Sequence, residues 1–221
     1  MDLSCTRCVV RTAFAVLLIA ILIAGAFPQE RPAPEQVLKH DRLEVVLPDF
    51  PAEGLILDIG GGGEGVIGQL KGRQVVAIDL IKRELEDAPG EPLLKIVMDA
   101  RDLKFLDNTF RTSTVFFTFM YIEPSFHAKV FEEIRRVLKP GGRLLVWDVV
   151  FPARTDPQQV YVLFPVHVKM PKGDVNTGYG VKIVEKQGLE HFADLARQTG
   201  FEVVTQEPQK GWFFLELKKP A

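Results

Sequence analysis

LILDIGGGGEG, residues Leu55 to Gly65, is the stretch whose reading decides the fold. Leu55 to Asp58 are β-favouring and apolar up to a terminal carboxylate, four consecutive glycines follow, and helical spacing resumes at Val66, Ile67 and Leu70. Strand, glycine turn and helix in that order form the context in which a glycine motif is informative. A turn without side chains admits positive φ and lets a ligand reach the backbone, while the following helix start presents unpaired N–H groups. The segment therefore predicts a ligand-binding loop at the edge of an open α/β sheet.

The acids around the loop restrict the ligand. Gly60, Gly62 and Gly65 match G-x-G-x-x-G, and Asp79 closes the next apolar run, VVAID, at the distance of an acid that binds ribose hydroxyls. Those features alone describe a dinucleotide site. Asp58, however, stands two residues before the first glycine, and Asp99 ends a third apolar run, LLKIVMD. A carboxylate at the first strand tip repels a pyrophosphate and suits a ligand with an ammonium group. The pattern points to a cationic nucleoside.

Five stretches, LILDIGGGGEG, VVAIDL, VMDARDLKFLDNTF, TVFFTFMYI and VLKPGGRLLVWD, occur in order between Leu55 and Val150. In them the chain resembles the core of the class I S-adenosylmethionine-dependent methyltransferases, over a little under half of its length. The resemblance implies S-adenosylmethionine as cofactor. It assigns Asp58, Gly60, Gly61 and Gly62 to the methionine part, Asp79 with Leu80 to the ribose, and Asp99 with Ala100 to the adenine amino group. Two positions depart from the family pattern. Glu64 stands where the last glycine of the motif is usual, displacing Gly65 by one, and Arg111 follows the phenylalanine that opens the fourth strand, where an acid is common.

The chain has 221 residues, enough for one full domain and an extra segment. Hydrophobic residues make up 47% and charged residues 25%, as in ordinary globular proteins. A net charge of −2 without a basic cluster argues against nucleic acid as a partner.

Residues 1–27 read as a signal peptide or membrane anchor, because Arg7 and Arg11 precede the uncharged apolar run Thr12 to Phe27 and Ala24-Gly25-Ala26 resembles a cleavage site. Cys5 and Cys8 lack the two further ligands of a zinc site, so no metal is expected. Positive-inside orientation would export the domain, whereas the implied cofactor is cytoplasmic. The expectation adopted is a domain tethered to the membrane through residues 12–27 and facing the cytoplasm; an exported form is the alternative.

Residues 28–48 read as linker and N-terminal segment: PQERPAPEQ is extended, and Val37 to Leu47 is expected to be a helix, either over the pocket or simply packed. Residues 49–221 form the main domain. Gln74–Asp79 and Leu94–Met98 are its second and third strands, with a helix from Ile81 to Ala88 between them, and Thr114–Phe119 is the fourth. Leu103 and Phe105 line the adenine wall or belong to the core. After the fourth strand, MYIEPS leaves at the carboxyl edge, where ligands of open α/β sheets bind, so Tyr121 and Glu123 are candidate substrate-facing residues. A helix from Ser125 carries apolar residues at three- and four-residue spacing, with His127 expected at its surface or cap. Arg143–Val149 is the fifth strand.

Residues 151–187 resemble the substrate-side insertion of the family. They hold two short β-prone runs, VYVLF and VHVKM, then a loop, PKGDVNTGYG, and His167, Asn176 and Tyr179 are the polar candidates there. A helix from Gly188 to Thr199 and two strands, Phe201–Gln206 and Trp212–Leu217, complete the chain as an antiparallel pair.

The expected architecture is a Rossmann-like αβα sandwich with a mainly parallel seven-stranded sheet and an antiparallel last strand. The expected activity is methyl transfer to a small-molecule or lipid-like acceptor, with positioning rather than an acid–base dyad carrying the rate. The alternatives are a catalytically inactive, membrane-tethered nucleoside-binding module and an NAD(P)-dependent oxidoreductase. No Tyr-x-x-x-Lys pair supports the latter: Tyr179 and Lys182 have the wrong spacing.

Overall fold

Leu57, Ile59, Val76 and Ile78 are buried on one face of a sheet and Ile56, Val75 and Ala77 on the other, which is why these runs are apolar at nearly every position. A computed structural model describes residues 32–221. The leader read in residues 1–27, with Cys5 and Cys8, lies outside the described residues.

In chain order the strands are β1 (Val37–Lys39), β2 (Leu43–Val46), β3 (Ile56–Ile59), β4 (Val75–Asp79), β5 (Leu94–Val97), β6 (Phe110–Phe116), β7 (Leu138–Val149), β8 (Tyr161–Lys169), β9 (Val175–Lys182), β10 (Glu202–Pro208) and β11 (Trp212–Lys218). The helices are α1 (Val66–Lys71), α2 (Lys82–Asp87), α3 (Pro124–Val137) and α4 (Leu189–Gln198). Seven strands form the main sheet in the order β10-β11-β7-β6-β3-β4-β5. Pairings from β7 through β5 are parallel, and the last strand, β11, runs antiparallel to both β7 and β10. This is the expected Rossmann-like sheet. The reversal of order on either side of β3 puts the tips of β3, β4, β5 and β6 on one edge.

Helices α3 and α4 cover one face through Phe131, Ile134, Phe192 and Ala196, all fully buried against Leu57, Val146 and Phe213. The other face meets α1 and a second, smaller sheet, whose Val162, Phe164, Val166 and Tyr179 pack with Phe116, Trp147 and Val149. Removing a side chain such as Phe164 from this layer costs about 3–5 kcal/mol, the usual penalty for an aromatic cavity.

The second sheet corrects three expectations. Val37–Leu47 is not a helix but the strands β1 and β2, because Leu43, Val45 and Leu47 are buried while Glu44 and Val46 are exposed, a period of two. The two β-prone runs are one strand, β8, continuous through Pro165. β1 pairs with its first half and β2 with its second, both in parallel, and Pro165, which has no N–H to give, falls at the gap between them. The loop PKGDVNTGYG is a loop only at its start, since β9 begins at Val175 and pairs antiparallel with β8 as far as Lys182. Within residues 32–48 a 3-10 turn at Pro34–Gln36 leads into strands that complete the sheet of the insertion.

Boundaries in the main sheet moved less. β6 starts at Phe110 rather than Thr114 and stops at Phe116, where Phe117 adopts φ +51° and turns the chain into a 3-10 turn at Phe119–Tyr121. β7 starts at Leu138, and a register shift opposite Phe110–Thr112 absorbs Pro140 to Gly142.

Candidate functional site

At Gly60, Gly61 and Gly62 the loop is bare because its neighbours leave no room. A Cβ on Gly60, which has φ +70°, would lie 2.3 Å from Thr118 Oγ1. One on Gly61 would lie 2.6 Å from Asp58 Oδ2, and one on Gly62 would lie 2.6 Å from Glu84 Cβ and 2.8 Å from Asp79 Oδ2. Backbone bonds from Gly61 N to Ile78 O (2.9 Å) and from Gly63 N to Glu84 O (3.0 Å) hold the turn against β4 and α2.

Two strand-tip carboxylates, Asp58 and Asp79, adjoin this turn, and a third, Asp99, follows the next strand; their settings are unlike. Asp58 ends beneath the loop with 2% exposure, its Oδ1 accepting from Thr114 Oγ1 at 2.7 Å. Burial pushes its pKa up to about 7, against the lowering effect of Thr114. Its place below Gly61 makes it a support of the loop rather than a group in contact with a ligand, so the role implied for it above is modified. Asp79 closes β4, accepts from Ile81 N at 2.8 Å and is raised by burial. Leu80 beside it is 60% exposed, an apolar surface next to a polar tip. Asp99, just past β5, is clamped by Arg101, whose Nη2 lies 2.6 Å from Oδ2 and whose backbone N–H reaches Oδ1 at 2.8 Å. These bonds hold its carboxyl below the usual range. Ala100 follows it and packs against the main core.

Sequence reasoning missed a fourth acid at the loop. Glu84 on α2 is raised by burial and then by the charges of Asp79 and Glu64. The turn is thus rimmed by carboxylates that oppose one another, a donor set that fits a cationic ligand and repels a pyrophosphate.

Glu64 crosses from the loop to the second sheet. Its carboxylate accepts from the hydroxyl of Thr177 and from Tyr179 OH at 3.1 Å, while its own carbonyl accepts from Gln69 Nε2 at 2.7 Å. Tyr179 is buried, stacks on Phe117 with ring centres 5.5 Å apart, and is raised by burial and by Glu64. Tyr121 stands nearby with a buried hydroxyl that has no partner among the described residues, raised by burial and then by Glu64, Asp148 and Glu84. Asp148, at the end of β7, is fully buried. Burial takes it to about 7, although the N–H groups of Thr118, Phe119 and Met120 face it, and its Oδ2 makes no hydrogen bond of good geometry.

Other candidates lie elsewhere. Glu123 is exposed at the start of α3, accepting from Ser125 Oγ at 2.9 Å. His167 is on the outer face of β8, held between Glu44 (2.7 Å) and Asp174 (3.0 Å), and Asn176 is its exposed neighbour on β9. Both point away from the face that carries Tyr179, because alternate strand residues take opposite sides. His127 is buried, not at the surface: its Nε2 meets Ile122 O at 2.9 Å and its Nδ1 meets His191 at 3.1 Å. Leu103 belongs to the core, and Phe105 packs edge-on against Phe110. Arg111 pairs with Glu53 near the amino end of β6, opposite the strand tips, so it does not bear on the loop. Two open depressions, one lined by Asp107, Glu132 and Arg136 and one by Glu53, Arg111 and Lys139, also lie away from the loop.

A sheet of this order with a glycine turn and acids at successive strand tips defines a Rossmann-like, nucleoside-binding class. Residues 57–146 match the family described as methyltransferase domain. Over that stretch the chain is similar to methyltransferase domains. It is 34% identical over 113 residues to a ubiquinone/menaquinone biosynthesis C-methyltransferase of Desulfotalea psychrophila, covering 47% of this chain and 45% of that one. A protein of the same name from Dinoroseobacter shibae is 29% identical over 168 residues, 67% of this chain and 66% of its own. The chain spans about half the length of the first of these and of several other curated relatives it matches. An S-adenosylmethionine-dependent methyltransferase from Methanosarcina mazei shares the fold, with TM-score 0.55 and 17% identity over 78% of this chain and 95% of that one.

Proposed function

We propose that this protein uses S-adenosylmethionine to methylate a small-molecule or lipid-like acceptor held between the glycine loop and the second sheet. The observation that carries the reading is the pair of carboxylates Asp79 and Glu84 beside one side-chain-free turn at the carboxyl edge of the sheet, with Asp58 beneath it. When bound, the cofactor supplies an electrophilic methyl group on a sulfonium. Asp79 would hold the ribose hydroxyls, with Leu80 against the nucleoside, and Asp99 with Ala100 would meet the adenine amino group once Arg101 swings aside. Gly60, Gly61 and Gly62 offer backbone without a Cβ to the methionine part, over Asp58. The aromatic wall of Phe117, Tyr179 and Trp147 excludes water and fixes the approach, which suffices for a transfer that disperses charge. The names of the relatives, quinone C-methyltransferases, support an aromatic, lipid-like acceptor.

Isothermal titration tests the reading. Micromolar binding of S-adenosylmethionine without binding of NADH is expected, and the reverse would remove it. In the same titration Asp79→Ala should weaken binding about ten-fold or more, the worth of one lost charge-assisted hydrogen bond. Clamping of Asp99 by Arg101 favours one second reading, a nucleoside-binding module without transfer. Radiolabelled methyl transfer to a quinol-containing lipid extract separates the two.

The membrane tether through residues 12–27, with a cytoplasmic domain, is also proposed, on the apolar run alone. Among the described residues no helix is long and apolar enough to cross a membrane. Retention of the full chain in membranes after an alkaline carbonate wash is the expected result; release would count against the tether.

A further inference from the structure

Glu64 has a position and a set of partners that the cofactor site does not use. It occupies the last glycine position of the motif, yet its carboxylate leaves the loop and crosses to the inner face of β9. There it accepts from two hydroxyls, one on each oxygen, and one of the two donors is a phenol, Tyr179. An ionised carboxylate offers about four lone-pair sites, so at least one remains on each oxygen. Around it the walls are aromatic: Phe117 stacks on Tyr179, and Phe116 lies edge-on to Phe117. Among the described residues, two polar groups bordering the same turn at 118–121 are buried without a full set of partners, Tyr121 OH and Asp148 Oδ2. Both are close enough to raise the pKa of Tyr179, as Glu64 does. A core that leaves such atoms unpaired bears a penalty that a polar ligand removes.

We propose that Glu64 is the residue that selects the methyl acceptor, by accepting a hydrogen bond from a hydroxyl on an aromatic ring, with Thr177 and Tyr179 as internal donors that hold the carboxylate in place until the acceptor arrives. The proposal rests on the transferase reading above for the word acceptor, but the site itself is a hydroxyaryl-binding site whatever follows binding. Tyr179 shows the geometry in this structure: a phenol, stacked on Phe117, donating to Glu64. Tyr121 OH is placed to meet a second polar group on the ring. The departure from the family's glycine thereby acquires a function, since glycine there would leave Thr177 and Tyr179 without a charged acceptor.

The probe is 1-naphthol, compared with 1-methylnaphthalene, which matches it in size and lacks the donor. Equilibrium binding to the full chain is followed by naphthalene fluorescence. The wild type should favour the naphthol by about ten-fold or more, the range for a hydrogen bond to a charged acceptor. In Glu64→Gly, which restores the residue common in the family, that preference should fall to within about two-fold. Tyr179→Phe should tighten naphthol binding several-fold, because the carboxylate loses its internal phenol. A merely structural tie would move both probes together. An unchanged naphthol preference in Glu64→Gly, or equal loss of both probes in Tyr179→Phe, overturns the proposal. S-adenosylmethionine titrated in parallel keeps the failures apart: no binding to the wild type removes the transferase reading, while the naphthol ratio still judges Glu64.

Discussion

At the scale of single residues, the carboxylates at the strand tips behave differently because of what lies over them. Asp58 and Asp148 are both fully buried, and both have pKa values near 7 in the fold, far above the ordinary 3.8. A folded state that holds a proton more tightly than the unfolded one is favoured at low pH and loses that advantage as pH rises. For these groups the loss runs from about pH 4 to about pH 7 and is complete above it. Asp58→Asn, which removes one of the two ionisations, should therefore raise stability at pH 8 by about 2–4 kcal/mol and leave it nearly unchanged at pH 4. Urea unfolding at the two pH values checks this, and an equal effect at both would reject the buried-acid account. Arg101 makes the opposite case, since it keeps Asp99 ionised while occupying it. Arg101→Ala should tighten adenosine binding if Asp99 reads the adenine, as a titration with adenosine would register.

At the scale of elements, the glycine loop is a fitted part and not a flexible one. Gly60 combines φ +70° with a wall formed by Thr118, so Gly60→Ala would be strained in its backbone and blocked by contacts at 2.3–2.9 Å. A loss of about 2–4 kcal/mol is expected, from positive-φ strain and overpacking together. Thr118→Ala should recover little of it in thermal melts, because the Thr118 Cβ itself lies 2.9 Å away and the φ is unchanged. The strand, turn and helix around this loop were legible in the sequence, since an apolar run, four glycines and a helical repeat are local signals. The strands β1 and β9 were not. β1 has three residues, and β9 is rich in Gly and Asn, so neither has a convincing pattern until β8 supplies its partner.

At the scale of the whole molecule, the second sheet binds the beginning of the described chain to the segment after β7. Leu43, Val45 and Leu47 are at most 1% exposed in the same core layer as Trp147 and Phe164. A chain that starts at residue 48 would leave the edge of β8 unpaired and that layer open. It should melt at least about 10 °C below the chain that starts at residue 32, and it should bind a hydrophobic dye. Equal melting temperatures would show the second sheet to be dispensable.

The sequence by itself determined the main sheet, its seven strands and antiparallel last member, and the acids Asp58, Asp79 and Asp99 at the strand tips, because each depends on apolar runs and turn residues contiguous in the chain. Only the tertiary structure decided which acids share a space. Asp58 went beneath the loop, Glu84 joined its rim, and Glu64 reached Thr177 and Tyr179, more than a hundred residues away. Contacts of that kind are set by how two sheets pack, and no local pattern encodes the distance between side chains on different layers.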